Sequence, residues 1–427
     1  MNTLKTNVYF KIATIVVIAI LLLIPTSMIK RLIRERENTR KEAIREVSSK
    51  WGDEQTITGP FITIPYFLYV KQYSKKDYTE KVVQVKNYIH LLPDKLIVTG
   101  EVKPERRYRG IYEIVVYNAS LNISGSFKKT DFSGLDIPLK DIQFDKATLS
   151  LGISDLRGIE KPVSLKWNGE TFSFRPGTTT HDVVESGINT SVPVRQCDRD
   201  SCRFSLNLQL KGSQKLYFVP VGEVSDISLS SQWSTPSFNG AFLPDARTVT
   251  ASGFKANWNV LHLNRNFPQE WTGRMKEIDK SAFGVDLLLP VGNYQKAMRS
   301  IKYALLFISF TFIVFFFVEV LKKVYIHPVQ YILVGSALVI FYTLLLSVSE
   351  YLSFNTAFIL SAAATLFLIF GYIKAILRST PLALFIGGVL TILYAFIFVI
   401  IQLQDYALLI GSVGLFVILG LAMFFSR

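Results

Sequence analysis

The chain has 427 residues, 49% of them hydrophobic, and its mean hydropathy of +0.30 is too high for an ordinary soluble protein. Its net charge of +14 is typical of membrane proteins, whose lysines and arginines flank their helices. No basic and aromatic motif for nucleic acid accompanies this charge, so nucleic acid is not expected as a partner. The long apolar runs are confined to the two ends of the chain, which predicts a soluble domain between them.

An apolar run near the start predicts a first transmembrane helix over residues 12–29. Lys5 and Lys11 precede the run and no small-residue cleavage site follows it, which favours an uncleaved anchor over a signal peptide. Residues 1–11 are then a cytoplasmic N-terminus. Residues 30–50, where basic residues alternate with glutamates, predict a charged juxtamembrane helix rather than a specific lipid-binding segment, because the glutamates cancel much of the charge.

Five further apolar runs follow one another closely in the last part of the chain. A helix rises about 1.5 Å per residue, so roughly 20 apolar residues cross a hydrocarbon core of about 30 Å. The short gaps leave room only for tight turns, so successive helices are expected to run antiparallel. The predicted spans are residues 301–321, 328–350, 355–373, 380–402 and 406–426.

The charges in the short loops predict the orientation of this bundle. Basic residues follow the first, third and last of the five spans, whereas only Glu350 and Asp405 lie in the other two loops. The positive-inside rule then places both termini in the cytoplasm and the central domain outside it. The segments that flank the central domain are also basic and favour the opposite orientation. The short loops carry more weight, because long domains translocate largely regardless of charge.

The central region, residues 51–300, predicts a large, mostly antiparallel, all-β domain. Segments rich in β-branched and aromatic residues alternate apolar with polar and are separated by Gly, Pro, Asn and Asp. The region is longer than a typical sandwich, so one large domain and two β-subdomains are both open. A division would fall in residues 177–201, where strand signals fade. Residues 238–244 and 267–280 are predicted loops or short helices.

Ionisable residues at membrane depth are functional candidates, because an unpaired charge is costly there. Glu319, near the end of the second helix, and His327, at the start of the third, are expected on one side of the membrane, with Gln330 one turn further on. The favoured interpretation is that Glu319 and His327 bond each other and fix the helix hairpin; a proton or ligand role is the alternative. Glu350, on the opposite side, is expected to be an interfacial anchor.

The β-domain has few residues with a chemical signature. Asp155 and Arg157 predict a turn held by an ion pair, and His90 predicts a satisfied or solvated imidazole. Cys197 and Cys202 could form a small disulfide loop if the domain lies outside the cytosol, and are otherwise two thiols. Zinc-ligand spacing, a phosphate-binding loop, a nucleophile elbow and a dinucleotide fingerprint are all absent from the sequence, so we expect no metal, no cofactor and no catalytic residue.

Five phrases of the sequence, in register and with a matching topology, resemble one known family. They are Gly59-Pro-Phe-Ile-Thr-Ile-Pro65, Tyr88-Ile-His-Leu-Leu-Pro93, Ser154-Asp-Leu-Arg-Gly158, Pro236-Ser-Phe-Asn-Gly-Ala-Phe-Leu-Pro244 with Ser252-Gly-Phe254 after it, and His327-Pro-Val-Gln-Tyr-Ile-Leu-Val-Gly335 followed by Ser349-Glu350. Over nearly its whole length the chain resembles the inner-membrane protein CreD family, often labelled cell envelope integrity proteins. The two cysteines lie outside these phrases.

The resemblance implies a bacterial inner-membrane protein with a large periplasmic domain. It also implies membership of a regulon controlled by a two-component sensor, and a link to envelope stress and the β-lactam response. The family has no established catalytic activity, so the resemblance implies a protein that is not an enzyme.

Three functions therefore compete. The leading one is a membrane-anchored periplasmic β-domain that binds an envelope component, whether lipid, glycan or protein, and supports envelope integrity under stress. A transporter or lipid-handling protein would show a polar cavity among the helices or an apolar groove leading from the β-domain. An envelope-modifying enzyme would need polar side chains that converge in a pocket, with Asp155, Arg157 and His90 the first to examine.

Overall fold

The computed structural model describes residues 8–74, 79–128, 137–196, 201–274, 278–287, 293–322, 324–403 and 406–426. The chain forms two units. A helical unit comprises Met1–Lys41 and Val291–Arg427, and a β-domain comprises Glu42–Pro290. The predicted arrangement of helices at both ends with a β-rich domain between them is confirmed.

Eight helices lie in the described parts of the chain. They are α1 (Val8–Leu21), α2 (Leu23–Trp51), α3 (Asn293–Lys302), α4 (Ala304–Lys322), α5 (Pro328–Ser349), α6 (Phe354–Leu377), α7 (Thr380–Gln402) and α8 (Ala407–Ser426). Five helical segments among these residues are long and apolar enough to cross a membrane: Phe10–Trp51 and the four helices from α4 to α7. Helix α8 lies where the sequence predicts the sixth span.

Helix α3 departs from the predicted boundary between the β-domain and the second span. The sequence assigns its first residues to the β-domain, yet they form a separate short helix of the helical unit. Tyr294, Ala297 and Ile301 are buried at helical spacing, whereas the basic residues Lys296 and Lys302 lie outside this buried stripe. An amphipathic period of this kind, rather than the length of an uncharged run, marks the start of the helical unit.

The β-domain consists of two sheets. The first has nine strands in the order β13-β17-β11-β1-β5-β9-β8, with β2 on β1 and β16 on β2; the second has eight, in the order β14-β15-β12-β3-β4-β10-β6-β7. In the described residues all strand pairs are antiparallel except β1 with β11 and β3 with β12. The fold is thus mostly antiparallel, as the sequence predicts.

The strands in chain order are β1 (Gln55–Ser74), β2 (Thr79–Leu91), β3 (Lys95–Arg109), β4 (Tyr112–Lys128), β5 (Thr148–Ile153), β6 (Ser164–Trp167), β7 (Glu170–Ser173), β8 (Arg175–Pro176), β9 (Gly187–Ser191), β10 (Ser201–Ser213), β11 (Lys215–Val219), β12 (Val224–Ser231), β13 (Pro236–Gly240), β14 (Ala246–Thr250), β15 (Gly253–Leu261), β16 (Glu270–Thr272) and β17 (Phe283–Leu287).

One hydrophobic core joins the two sheets. It contains Ile57 and Leu149 from the first sheet together with Val98, Leu121 and Leu206 from the second. A division into two subdomains within residues 177–201 is therefore not observed, because β9 lies in that stretch and pairs with β5. Strand β9 is not predicted from the sequence because it is short and begins with Gly187. A Cβ there would lie 2.5 Å from the Leu151 carbonyl oxygen of β5.

Strands β13, β16 and β17 were also missed, the first two within predicted loops. Strand β17 is fully buried but carries Gly284 and Asp286, which are both depleted in strands. A Cβ at Gly284 would lie 2.1 Å from the Leu216 carbonyl oxygen. Asp286 accepts hydrogen bonds from the Tyr217 hydroxyl at 2.8 Å and the Asn239 amide at 2.7 Å. Tertiary contacts therefore stabilise a strand that local composition conceals.

Candidate functional site

Glu319 is the most heavily bonded charged residue predicted from the sequence in the helical unit. It lies on α4 and is only 6% exposed. Its carboxylate forms an ion pair with the Lys11 ammonium, accepts a hydrogen bond from the Tyr331 hydroxyl at 3.2 Å, and accepts another from the Ile326 backbone N–H at 3.0 Å. The Lys11 ammonium also lies 4.6 Å from the ring centroid of Tyr325. One carboxylate thus joins α1, α4 and the turn before α5.

The predicted bond between Glu319 and His327 is wrong. His327 instead caps α5: its Nδ1 accepts the Val329 backbone N–H at 3.3 Å, and the Gln330 side-chain oxygen accepts the His327 backbone N–H at 3.0 Å. This reciprocal arrangement satisfies backbone donors that a helix start leaves without partners. Glu319 and His327 therefore fix the same turn independently, Glu319 through the Ile326 backbone N–H and His327 through a helix cap.

These bonds determine what Glu319 can do chemically. An ionised carboxylate accepts hydrogen bonds and donates none, and here an ammonium, a hydroxyl and a backbone N–H already surround it. Such pairing is the condition under which a charge is tolerated at low exposure. In the sequence, Lys11 is a basic residue flanking the first span. Its position on the same predicted side as Glu319 was the one available signal for the pair.

Glu350 organises the opposite end of the helical unit. Its carboxylate accepts a hydrogen bond from the Tyr294 hydroxyl at 3.3 Å and lies 3.6 Å from Nε of Arg36. The neighbouring Asn293 amide donates to the Ser349 and Leu352 carbonyl oxygens. Arg36 and Tyr294 belong to the segments through which the chain leaves for the β-domain and returns from it. Both segments therefore meet at the Glu350 end, whereas α1 begins at the Glu319 end.

Asp155 and Arg157 form the ion pair that the sequence predicts, with a 2.9 Å contact between the guanidinium Nε and the carboxylate. The guanidinium also contacts the Asp53 carboxylate at 3.0 Å and the Ser49 carbonyl oxygen. Burial alone raises the pKa of Asp155, but hydrogen bonds from Arg157 and from the Asp53 backbone N–H lower it overall. All contacts that the structure gives this pair are within the β-domain, and they bind the end of α2 to the turn.

The turn that carries Asp155 is held against two strands by Gln55. This fully buried amide donates to the Asp155 carbonyl oxygen at 2.9 Å and to the Lys211 carbonyl oxygen at 3.0 Å. At the end of the same phrase a Cβ on Gly158 would lie 2.2 Å from that Lys211 oxygen. The phrase from Ser154 to Gly158 therefore joins β1, β5 and β10, which is a structural role.

His90 lies between a hydroxyl and a carboxylate. Its Nδ1 is 3.1 Å from Oγ1 of Thr63, its Nε2 is 3.4 Å from a carboxylate oxygen of Asp182, and its ring centroid is 5.4 Å from that of Trp271. Burial lowers the pKa of His90, and the contact with Asp182 opposes this effect only partly. The order of groups is that of a nucleophile, base and acid set, but Thr63 and His90 are both 0% exposed, so no substrate reaches them.

The three residues proposed for an enzyme do not converge. Thr63 pairs with His90, whereas Ile57 pairs with Ile153, next to the turn of Asp155. Six residues of strand at about 3.3 Å each separate the two places by roughly 20 Å. His90 therefore cannot act on the same substrate atom as Asp155 and Arg157.

The β-domain has two cavities whose linings do not include His90, Asp155 or Arg157. One, of about 450 Å³, is lined largely by hydroxyl side chains and has one residue of each charge. Its lining includes Glu101, Ser230, Thr248, Thr250, Ser252 and Lys255. The other, of about 340 Å³, includes Glu185 and Asp279, and burial raises the pKa of Asp279. Within the described ranges no group of three or more His, Cys, Asp or Glu side chains could hold a metal ion.

Arg265 and Cys202 are two further buried residues of the β-domain. Arg265, which had no sequence signal, is 8% exposed and donates to the carbonyl oxygens of Phe267 at 2.7 Å and Val221 at 3.1 Å; burial lowers its pKa to about 10. Cys202 is buried in β10 and disulfide-bonded. Cys197, its predicted partner, lies outside the described residues.

The ion pair predicts a non-additive response to substitution. Either Lys11→Gln or Glu319→Gln leaves one buried charge without its counterion, so each should lower the melting temperature of the detergent-solubilised full-length protein. The double variant replaces the pair with two neutral amides and should be more stable than the sum of the single losses predicts. Thermal unfolding of all four proteins checks this, and additive losses would contradict the pairing.

His90 predicts acid sensitivity of the β-domain. The folded state resists protonation because burial lowers the pKa of His90, whereas the unfolded state binds a proton near the ordinary value of 6.5. Stability should therefore be full above about pH 6.5 and fall as the pH decreases towards about 5. His90→Gln should flatten this part of the pH profile, and His181→Gln, at an exposed histidine, should leave it unchanged. An equal loss of stability with falling pH in all three proteins would refute the assignment of this loss to His90.

Comparison with known proteins identifies the family. The family model described as "Inner membrane protein CreD" matches residues 7–427. The inner membrane protein CreD of Escherichia coli is 31% identical over 429 residues, which cover 99% of this chain and 94% of that protein. A solved two-domain M1 zinc metallopeptidase bound to L-arginine aligns with a TM-score of 0.20 and 9% identity, over 50% of this chain and 53% of its own, and this likeness is too weak to support an argument. The chain belongs to the CreD family of inner membrane proteins.

Proposed function

We propose that this inner-membrane protein presents its β-domain in the periplasm as a binding module for an envelope component, and that it thereby supports envelope integrity under stress, including the response to β-lactams. Its expression would belong to a two-component regulon, as the family resemblance implies. Six spans, with α8 as the last, would leave both termini in the cytoplasm.

The contacts within the helical unit support this topology. The Lys11–Glu319 ion pair places the start of α1 beside the turn between α4 and α5. Arg36 and Tyr294, which lie in the two segments that connect to the β-domain, both contact Glu350 at the other end. In a bilayer, the two ends of a bundle face opposite sides. The β-domain would then be on the side opposite the N-terminus.

The contacts of the polar candidates favour binding over catalysis. Asp155, Arg157 and His90, the residues most suited to chemistry, are all used in holding strands and turns together. The surface instead offers an edge strand, β14, whose five residues are all exposed. Thr248 and Thr250 of this strand also line the cavity of about 450 Å³. An open edge beside a hydroxyl-lined cavity is suited to recognition by backbone and hydroxyl hydrogen bonds.

The helical unit gives a transporter less support. Aromatic rings pack between α4, α5, α6 and α7, with Phe341 5.4 Å from Phe358 and 4.8 Å from Tyr394, and Phe307 4.5 Å from Tyr394. Rings at these distances and tilted towards each other are stabilising contacts of a packed interior. This part of the bundle is therefore filled by side chains rather than by a polar path.

The topology predicts the behaviour of reporter fusions. A phosphatase that is active only outside the cytoplasm should be active when fused after Gly177, an exposed glycine of the β-domain, and inactive when fused after Arg427. A reporter that is active only in the cytoplasm, fused at the same two places, is the control and should give the opposite pattern. Reversal of both patterns would refute the periplasmic placement.

The binding function predicts capture at the edge beside the cavity. A photo-crosslinking amino acid at Thr248 should give a discrete adduct in living cells, identified by mass spectrometry, that becomes more abundant under envelope stress. The matched control is Glu170, which is exposed on β7 at the other end of the same sheet and should give no such adduct. If exposed positions across the β-domain yield no adduct under stress, the domain is not a binding module.

A further inference from the structure

Strands β1 and β2 extend together beyond the rest of their sheet. The pairing of β1 with β5 ends at Thr63, but β1 remains paired with β2 as far as Ser74. Among the described residues, no third strand pairs with residues 67–74 or 79–86, which we call the ribbon. A two-stranded ribbon is marginally stable in water on its own, so its exposed side chains indicate what surface stabilises it.

The register gives each side of the ribbon a different chemistry. Leu68 is opposite Val85 and Val70 is opposite Val83, and directly opposed residues share one face of a sheet. These four residues form the aliphatic face of the ribbon. Their side chains are 38% to 44% exposed, although all four are hydrophobic.

The aliphatic face continues a buried stripe. Nearer the body of the domain the same side of β1 and β2 carries Ile62, Ile64 and Ile89, which are at most 2% exposed and belong to the core. Tyr66, bonded through its hydroxyl to Asn87 at 3.0 Å, marks the point beyond which exposure begins. The apolar pattern thus extends past the end of the core, where packing inside the domain no longer accounts for it.

The opposite face of the ribbon is more mixed. It carries Lys71, Gln84 and Lys86 together with Phe67, Tyr69 and Val82, and the Lys86 ammonium is 5.3 Å from the ring centroid of Tyr88. The two strand segments of the ribbon contain three lysines and one glutamate, a net charge of +2, together with two tyrosines. Aliphatic side chains bordered by tyrosine and lysine are the composition of segments that lie at a membrane–water interface.

We propose that the ribbon is a lipid-binding element, with its aliphatic face inserted between the headgroups of an anionic bilayer surface and its lysines at the level of the phosphates. Both ends of the β-domain continue into segments that can cross a membrane, so this chain always carries the domain with a bilayer. The positive charge of the ribbon is complementary to phosphatidylglycerol and similar lipids.

A second copy of the chain suits this surface less well. Four aliphatic side chains offer much less than the roughly 800 Å² per partner of a stable interface. Two ribbons of net charge +2 would also repel each other. The inference rests on the proposed function in one respect, since it names a lipid as one envelope component that the β-domain binds and the ribbon as the place where it binds.

The test uses the full-length protein reconstituted in vesicles of phosphatidylcholine with phosphatidylglycerol. A polarity-sensitive fluorophore is attached at Val83→Cys on the aliphatic face, at Gln84→Cys on the opposite face, or at Val249→Cys on β14, which is 48% exposed outside the ribbon. A quencher on the lipid acyl chains should reduce the Val83 signal several-fold more than the Val249 signal, with Gln84 in between. The quenching at Val83 should weaken in vesicles of phosphatidylcholine alone.

A charge inserted on either face supplies the matched variants. With the label at Val85→Cys, the change Val83→Glu should abolish most of the lipid quenching, whereas Gln84→Glu adds the same charge on the opposite face and should preserve most of it. Both sites are exposed, so neither change disturbs the core. Equal quenching at Val83 and Val249, or a Val83 label quenched by its counterpart in a second copy rather than by lipid, would overturn the proposal. Capture at Thr248 would still support the proposed function in that case.

Discussion

The structure depends on the rule that a charge at low exposure needs an opposite charge or several hydrogen bonds. Glu319 obeys it through Lys11, Tyr331 and a backbone N–H, and Glu350 obeys it through Arg36 and Tyr294. Each carboxylate lies at one end of the helical unit and joins segments that are distant in the chain. Glu319 thereby links α1 to the turn between α4 and α5, and Glu350 links α2 and α3 to the end of α5.

In the β-domain the same rule accounts for the contacts of Asp155 and His90. The carboxylate of Asp155 and the imidazole of His90 have partners on neighbouring strands and turns, and both serve the packing of the domain. The features without such a role are on the surface: the hydroxyl-lined cavity, the edge strand β14 and the aliphatic face of the ribbon. These surface features are the basis for proposing that the domain acts by binding.

Sequence reasoning succeeded where a property is local and failed where it depends on distant residues. The long apolar runs and the alternating strand segments are local, so the spans and most of the long strands could be found from them. The partner of Glu319 could not, because Lys11 is far away in the chain and His327 is close. Strand β17 was missed because Gly284 and Asp286, which are unusual in strands, are accommodated by contacts with the neighbouring strand β11. The ribbon needed the observed register, since only cross-strand pairing shows that Val70, Val83 and Val85 share one face.

Gly187 and Gly284 make the first sheet vulnerable at single positions. At each position even one added carbon would collide with a carbonyl oxygen of the adjacent strand, and a carbonyl in a hydrogen-bonded sheet has no freedom to move away. Drift elsewhere in the domain can be compensated by repacking, but at these two points every replacement separates the strands. A single methyl group at either position would therefore be enough to open the first sheet, between β9 and β5 or between β17 and β11.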